Sequence, residues 1–375
     1  MSEIYLDYNA TTPVAKPVQE EVSFALAEKW GNPSSGHRLG QMAKKALEYA
    51  RTQVASLLNA DPSEILFTSG GTESNNIAIT GLCQAMSGKG RHIITTCIEH
   101  PSIMNPCLHL LEQGWEVSFI KVNSQGVADP MEVERALRPD TVMVSVMLAN
   151  NETGIIQPVA AVSQVAHRHG VLVHSDAAQA VGKIPVDVKD LGVDYLSIAG
   201  HKLYAPKGIG VLYCKTDAPL GRIMFGGGQE QGLRPGTEPV PLAVGLGAAC
   251  NFVARDINAE SERQKCLREK LYTELFRLDH TIIRHGDPEN TIPNTLSVSF
   301  VGKNGAEILS RVPEVMASTG AACHDRTIKV SHVLAAMGIS PEVASGTVRF
   351  SLGRGTTESD IEKAVRLIGR LFDRM

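Results

Sequence analysis

Two stretches of this 375-residue chain place an ionisable side chain where an apolar strand gives way to a turn. The first, Asp194-Tyr195-Leu196-Ser197-Ile198-Ala199-Gly200-His201-Lys202, delivers a lysine into a loop flanked by Pro206, Gly208 and Gly210. An unpaired lysine is costly to bury, so one that follows a core strand either reaches back to water or is held for chemistry. The second, Val171-Leu172-Val173-His174-Ser175-Asp176-Ala177-Ala178-Gln179, drives an acid into another small-residue turn. A Schiff-base lysine and a carboxylate that keeps a pyridinium nitrogen protonated are the two groups by which a protein supports pyridoxal phosphate. Lys202 and Asp176 fit those two roles.

Other residues of chemical interest have a structural explanation as well as a functional one. Ser69-Gly70-Gly71-Thr72 follows a strand and opens a helix, so free backbone N–H groups and the Thr72 hydroxyl can face a phosphate. A Gly-Gly turn capped by Thr is equally a simple helix start. His100 ends a strand and precedes Pro101, a position that a satisfied loop histidine also takes. Cys323 sits in Ala317-Ser318-Thr319-Gly320-Ala321-Ala322-Cys323-His324-Asp325-Arg326, a small and polar stretch where exposure favours thiolate chemistry. Arg354, in Ser351-Leu352-Gly353-Arg354, is either an exposed charge near a helix start or a bidentate clamp for a carboxylate. His167-Arg168-His169-Gly170 reads as a cation-rich helix end stopped by glycine. Gly226-Gly227-Gly228 lacks the Lys-Ser/Thr of a phosphate loop and reads as a turn.

These side chains need a scaffold, and the apolar pattern supplies one. β-type runs at 65–67, 92–98, 116–122, 142–148, 171–174, 195–198 and 209–213 alternate with helical stretches. That rhythm predicts an α/β architecture with a mostly parallel sheet covered on both faces, and ligands bind beyond the carboxyl ends of such strands. Thr72, His100, Asp176 and Lys202 each sit just after one of these runs. Earlier, a short strand at 5–9 leads into a helix from Pro17 to about residue 30, and 37–58 returns to helical spacing. Later, 237–276 reads as helical, and short strands at 295–300, 315–316 and 348–352 belong to a second, smaller domain.

Composition sets outer bounds. With 43% apolar residues the chain can bury a large core. A net charge of -4 and no Lys/Arg-rich run argue against nucleic acid as a partner. No basic leader or membrane-length apolar run is evident, so a cytoplasmic protein is expected. Seven cysteines without a CxxC pair indicate neither a disulfide framework nor a zinc site.

Taken in order, Ser69-Gly70-Gly71-Thr72-Glu73-Ser74-Asn75-Asn76, Glu99-His100, Asn150-Asn151-Glu152-Thr153-Gly154, His174 to Gln179, Gly200-His201-Lys202 and Gly320-Ala321-Ala322-Cys323 resemble the cysteine desulfurases. These are class V members of the aspartate aminotransferase fold. The likeness runs from Tyr5-Leu6-Asp7-Tyr8-Asn9 to Arg349-Phe350-Ser351-Leu352-Gly353-Arg354, and stretches 147–155, 224–239 and 316–324 are similar to selenocysteine lyases.

The resemblance implies a pyridoxal-phosphate-dependent transferase of fold type I. Its large domain would span 15–255, and 1–14 plus 256–375 would form an α+β domain carrying Cys323. It assigns Gly71, Thr72 and His201 to the cofactor phosphate, with Thr237 donated by the neighbouring subunit of a homodimer. His100 would stack on the ring and help move protons, Gln179 and Asn151 would lie around the phenolic oxygen, and Asn151 would also border the substrate. Arg354 would hold the substrate α-carboxylate. Attack of the Cys323 thiolate on the sulfur of L-cysteine would leave a persulfide for an acceptor protein, as in iron–sulfur cluster assembly, and release L-alanine. A selenocysteine lyase acting on L-selenocysteine is the near alternative. A class V aminotransferase, needing no Cys323, and a non-catalytic sulfur carrier are more distant ones. Ala199 departs from the serine that many desulfurases carry there, and Gly355 from a commonly aromatic residue.

Overall fold

The computed structural model describes residues 3–319 and 331–372; Cys323 lies outside the described residues. The chain opens with β1 (Ile4–Tyr5), α1 (Lys16–Glu28) and α2 (Arg38–Leu58), and then enters the sheet that positions the site. That sheet comprises β2 (Ile65–Thr68), β3 (His92–Thr96), β4 (Glu116–Ile120), β5 (Thr141–Ser145), β6 (Leu172–Asp176), β7 (Tyr195–Ala199) and β8 (Gly210–Cys214). Their order is β2-β8-β7-β6-β5-β3-β4. The pairs from β7 to β4 are parallel, while β8 runs antiparallel to both of its neighbours, so the sheet is mostly parallel as its sequence predicts.

Side-chain alternation explains why these runs become strands. Ile65, Phe67, Ile94, Val144, Leu196, Ile198, Val211 and Tyr213 pack in one apolar cluster, whereas the intervening Leu66, Ile93, Met143, Tyr195 and Leu212 pack in another. Both faces are therefore covered, and each fully buried aliphatic or aromatic side chain contributes about 1.5–3 kcal/mol of transfer free energy. The expected runs at 92–98 and 142–148 overshoot the regular strands. Beyond β5 the chain stays extended, with the Val146 and Leu148 amides donating to the carbonyls of His174 and Asp176 at 3.1 and 2.8 Å.

The helix after β2 starts as α3 (Gly71–Asn76), passes through one π turn at Ile77–Gly81 and continues as α4 (Leu82–Met86). α5 (Pro101–Glu112) has Pro101 in its first turn and His100 as its N-cap. A second sheet, ordered β12-β13-β10-β9, contains β9 (Ile283–Arg284), β10 (Thr295–Ser299), β12 (Ser318–Thr319) and β13 (Thr347–Ser351). β1 pairs in parallel with β11 (Val315–Met316). Ile4, Leu6, Leu271, Val298, Phe350 and Ile368 share a separate apolar cluster around these strands. Among the described residues, no single helix is long and apolar enough to cross a membrane.

Candidate active site

Strands β2, β3, β5, β6 and β7 point the same way, and their carboxyl ends supply the turns that carry Thr72, His100, Asn151, Asp176 to Gln179, and Lys202. These side chains line one cavity of about 460 Å³, together with Gly71, Ala199, His201 and Arg349.

Lys202 ends the short turn Gly200–Lys202 that follows β7. Its Nζ donates to the backbone carbonyl of Asn9 and, at 2.9 Å, to that of Ala10. Burial first and the Arg349 charge second bring its pKa down to about 8, against the opposing pull of Asp176. The amine is thus far more available in its neutral form than an ordinary lysine.

Asp176 closes β6 at 6% exposure and forms no ion pair among the described residues. Its Oδ2 accepts from Asn75 Nδ2 at 2.7 Å and its Oδ1 from the Ala178 amide at 2.9 Å. A buried carboxylate left without a cation is costly, so its surroundings fit a positively charged ring nitrogen supplied by a bound group. Asn75 Nδ2 also donates to Ser102 Oγ at 2.8 Å. Ser102 Oγ lies 2.7 Å from His100 Nδ1, which in addition accepts from the Ser102 amide at 3.1 Å. A backbone N–H can only donate, so Nδ1 is an acceptor and the neutral ring carries its hydrogen on Nε2. Burial lowers the His100 pKa, which keeps the ring neutral near pH 7.

The phosphate end is equally well formed. Gly70 takes φ +156°, a conformation open to glycine, and Gly71 begins the helix close against Ala199. A Cβ at Gly71 would lie 3.3 Å from that of Ala199, so the absent side chain lets the helix start pack tightly against Ala199 in the cavity wall. His201 Nδ1 meets Thr11 Oγ1 at 3.1 Å, and burial together with Lys202 lowers its pKa to about 4. It is therefore a neutral N–H donor or acceptor. An anionic phosphate, a cationic ring nitrogen and an amine-reactive carbonyl are the three features of pyridoxal phosphate that these residues fit.

Two expected residues lie away from this cavity. Thr237 is exposed and does not line it. Arg354 was expected to clamp the substrate carboxylate, but its guanidinium pairs with Asp256 at 2.6 and 3.1 Å and lies over the Phe252 ring at 4.7 Å, outside the lining. The cavity's arginine is Arg349, on β13. It donates to Asp7 Oδ1 at 2.6 Å and to the Asn151 carbonyl at 2.9 Å, while its buried Nε has no partner among the described residues. Strand alternation carries the signal: Val348 and Phe350 point into the core, so Arg349 must face the other way.

Sequence reasoning also gave no role to Asn9, Asn75, Ser102, Lys183 or Glu99. Asn9 is the hub: its carbonyl accepts from Lys202 and from Gln179 Nε2 (3.1 Å), its Oδ1 from Lys183 (2.9 Å) and Asn294 (3.0 Å), and its Nδ2 donates to Thr295 Oγ1 (2.8 Å). Glu99, next to His100 in the chain, is fully buried, and burial raises its carboxyl to about 8, so it is mostly uncharged at neutral pH. Its Oε1 accepts from Thr96 Oγ1 and the Met147 amide, tying β3 to the segment after β5.

The chain is similar to known proteins over nearly its whole length. A family model described as aminotransferase class-V matches residues 4–364. The chain is 41% identical over 375 residues to the cysteine desulfurase IscS of Dictyoglomus turgidum, covering 100% of this chain and 95% of that protein. A solved structure titled NifS-like protein superposes with a TM-score of 0.94 at 37% identity, covering both chains completely. Another, SspA in complex with cysteine, reaches a TM-score of 0.83 at 38% identity over 93% of this chain and 98% of that one.

Proposed function

Because the chain belongs to the class V aminotransferases, and to the cysteine desulfurases within them, we infer that it is a pyridoxal-phosphate-dependent enzyme that takes sulfur from L-cysteine and releases L-alanine. The observation that carries this reading is the convergence of Lys202, Asp176, His100 and the Gly71-Thr72 turn on one cavity. When bound, pyridoxal phosphate supplies a carbonyl for amines and a protonated ring that withdraws electrons.

The chain's own residues divide the work. Lys202 would hold the cofactor covalently, Asp176 would keep the ring nitrogen charged, and Thr72, His201 and the amides at the start of α3 would take the phosphate. Gln179 and Asn151 would border the ring oxygen. His100, with Ser102 occupying Nδ1, holds or hands over a proton at Nε2. Cys323 accepts sulfur as its thiolate: a sulfur–sulfur bond forms, the carbon–sulfur bond of cysteine breaks, and the carbon keeps that electron pair and takes a proton to become the alanine methyl group. No external oxidant or reductant is needed until the persulfide is discharged.

L-cysteine given to the purified protein with a thiol reductant should yield alanine and sulfide in equal amounts. Alanine without sulfide, or no turnover, would remove the assignment.

The substrate carboxylate belongs on Arg349. Replacement of Arg349 by leucine should raise KM for cysteine on the order of 100-fold, as expected for losing a charged hydrogen-bonded contact, with a smaller change in kcat. Arg354→Leu should leave KM within about threefold and cost under about 1 kcal/mol of stability, because its pair with Asp256 is partly exposed. The opposite ranking of KM values would return the clamp to Arg354.

We further propose a homodimer. Phe24 on α1 and Tyr49 on α2 are 53% and 64% exposed and line a cleft of about 550 Å³ between α1, α2 and the helix Val240–Ala254. A second copy covering this face would supply Thr237 to the neighbouring phosphate. The division into residues 15–255 and 1–14 plus 256–375, and delivery of the persulfide sulfur to an acceptor protein, belong to the same reading.

A further inference from the structure

Gln179 presents an amide to the cavity, and an amide can sit in either of two orientations. Which end faces a ligand decides whether the site offers a hydrogen-bond donor or an acceptor there. Its Nε2 donates to the Asn9 carbonyl at 3.1 Å, and its Oε1 accepts from Lys183 Nζ at 2.6 Å. Lys183 Nζ also donates to Asn9 Oδ1 at 2.9 Å. A turned amide would set Oε1 against the lone pairs of the Asn9 carbonyl and would take from Lys183 the acceptor that one of its hydrogens now holds.

Lys183 is itself unusual. It is only 9% exposed and pairs with no carboxylate among the described residues. Burial, followed by the charges of Lys202 and Arg349, holds its pKa well below the usual lysine range. A neutral amine has two hydrogens, and the two acceptors it meets, Asn9 Oδ1 and Gln179 Oε1, use both. The second hydrogen of Gln179 Nε2 is then left for the cavity.

We propose that Lys183 is a positioning residue: it fixes the Gln179 amide so that an N–H, and not a carbonyl, faces the oxygen anion on the cofactor ring. This rests on the cofactor placement given above. The donor stabilises that anion and so makes the proton shared between it and the Lys202 nitrogen easier to lose. Without Lys183, Oε1 is buried unpaired and only the Asn9 carbonyl still opposes a turned amide, so the anion meets a carbonyl in part of the molecules.

The test is a pH titration of the bound cofactor's visible absorption in wild type, Lys183→Met, Gln179→Leu and the double variant. Lys183→Met should raise the midpoint by about one pH unit, equivalent to roughly a tenfold change in that proton equilibrium. Gln179→Leu should raise it similarly, and the double variant no further than either alone, since one contact is being removed twice. If Lys183→Met does not fold, Lys183→Gln, which keeps a shorter donor, must shift the midpoint the same way by a smaller amount. An unshifted lysine variant beside a shifted Gln179→Leu overturns the proposal, as do fully additive shifts. An unshifted Gln179→Leu overturns the placement of the amide against the ring oxygen, and a wild type with no visible band overturns the cofactor reading itself.

Discussion

Replacing Lys202 by alanine should abolish alanine formation from cysteine, by about 10⁴-fold or more, while leaving a folded protein. Among the described residues the side chain's hydrogen bonds go to the backbone carbonyls of Asn9 and Ala10, so its loss removes little from the core. The variant should still bind pyridoxal phosphate through Asp176 and the phosphate turn, but borohydride should no longer fix the cofactor to the chain. Wild-type turnover by the variant would show that the anchor lies elsewhere. The wild-type apoprotein offers a companion measurement. With the amine at about 8, the reactive neutral form rises from about one molecule in ten at pH 7 to about nine in ten at pH 9. The rate of covalent loading should climb through that interval, and a midpoint at the ordinary lysine value near 10.4 would contradict the burial described here.

Cys323→Ser should have the other large effect. A hydroxyl at neutral pH is neither ionised nor strongly attracted to sulfur, so desulfuration of cysteine should fall by at least about 10³-fold with little change in substrate binding. Wild-type protein trapped during turnover should gain the mass of one sulfur atom on Cys323, and the variant should gain none. Selenium provides the contrast, because a selenol is ionised near neutral pH and leaves more readily. Alanine release from L-selenocysteine by the variant, with cysteine turnover lost, would separate the need for a nucleophile from the need for the cofactor. Full cysteine activity in the serine variant would end the persulfide mechanism.

Much of the scaffold was legible because its signals are local. The runs leading to Asp176 and Lys202 are short, largely apolar at their start and followed by small residues, so each predicts a buried strand with the side chain delivered at or just after its end. Thr72 and His100 are readable for the same reason, being helix starts immediately after strands. What escaped is what depends on distant pairing. The two arginines of the Arg349-to-Arg354 stretch are five positions apart and chemically alike; alternation sends Arg349 to the face opposite Val348 and Phe350, and the pairing of β13 with β10 is what brings that face to the cavity. Asn75 is an ordinary polar residue of a helix until β6 brings Asp176 to its amide. Lys183 lies in the loop after Gln179 and reads as a surface charge, and its burial follows from Asn9, 174 positions away. Cys323 was recognised from its surroundings in sequence, and it lies outside the described residues.

The Asn9 junction also bears on the order in which a ribosome could finish this protein. Asn9 donates to Ser351 and Asp7 receives Arg349, each across 342 positions of sequence, while the same short segment provides the carbonyls that hold Lys202. During synthesis the segment around Asn9 emerges early and waits for β13, the strand carrying Arg349, at a cost in loop closure that grows only slowly with length. The central sheet, whose strands lie within 65–214, has its own apolar faces and can collapse first. The lysine's surroundings are consequently among the last parts to assemble, and a nascent chain stopped short of Arg349 carries Lys202 and Asp176 without the frame that gives them their chemistry.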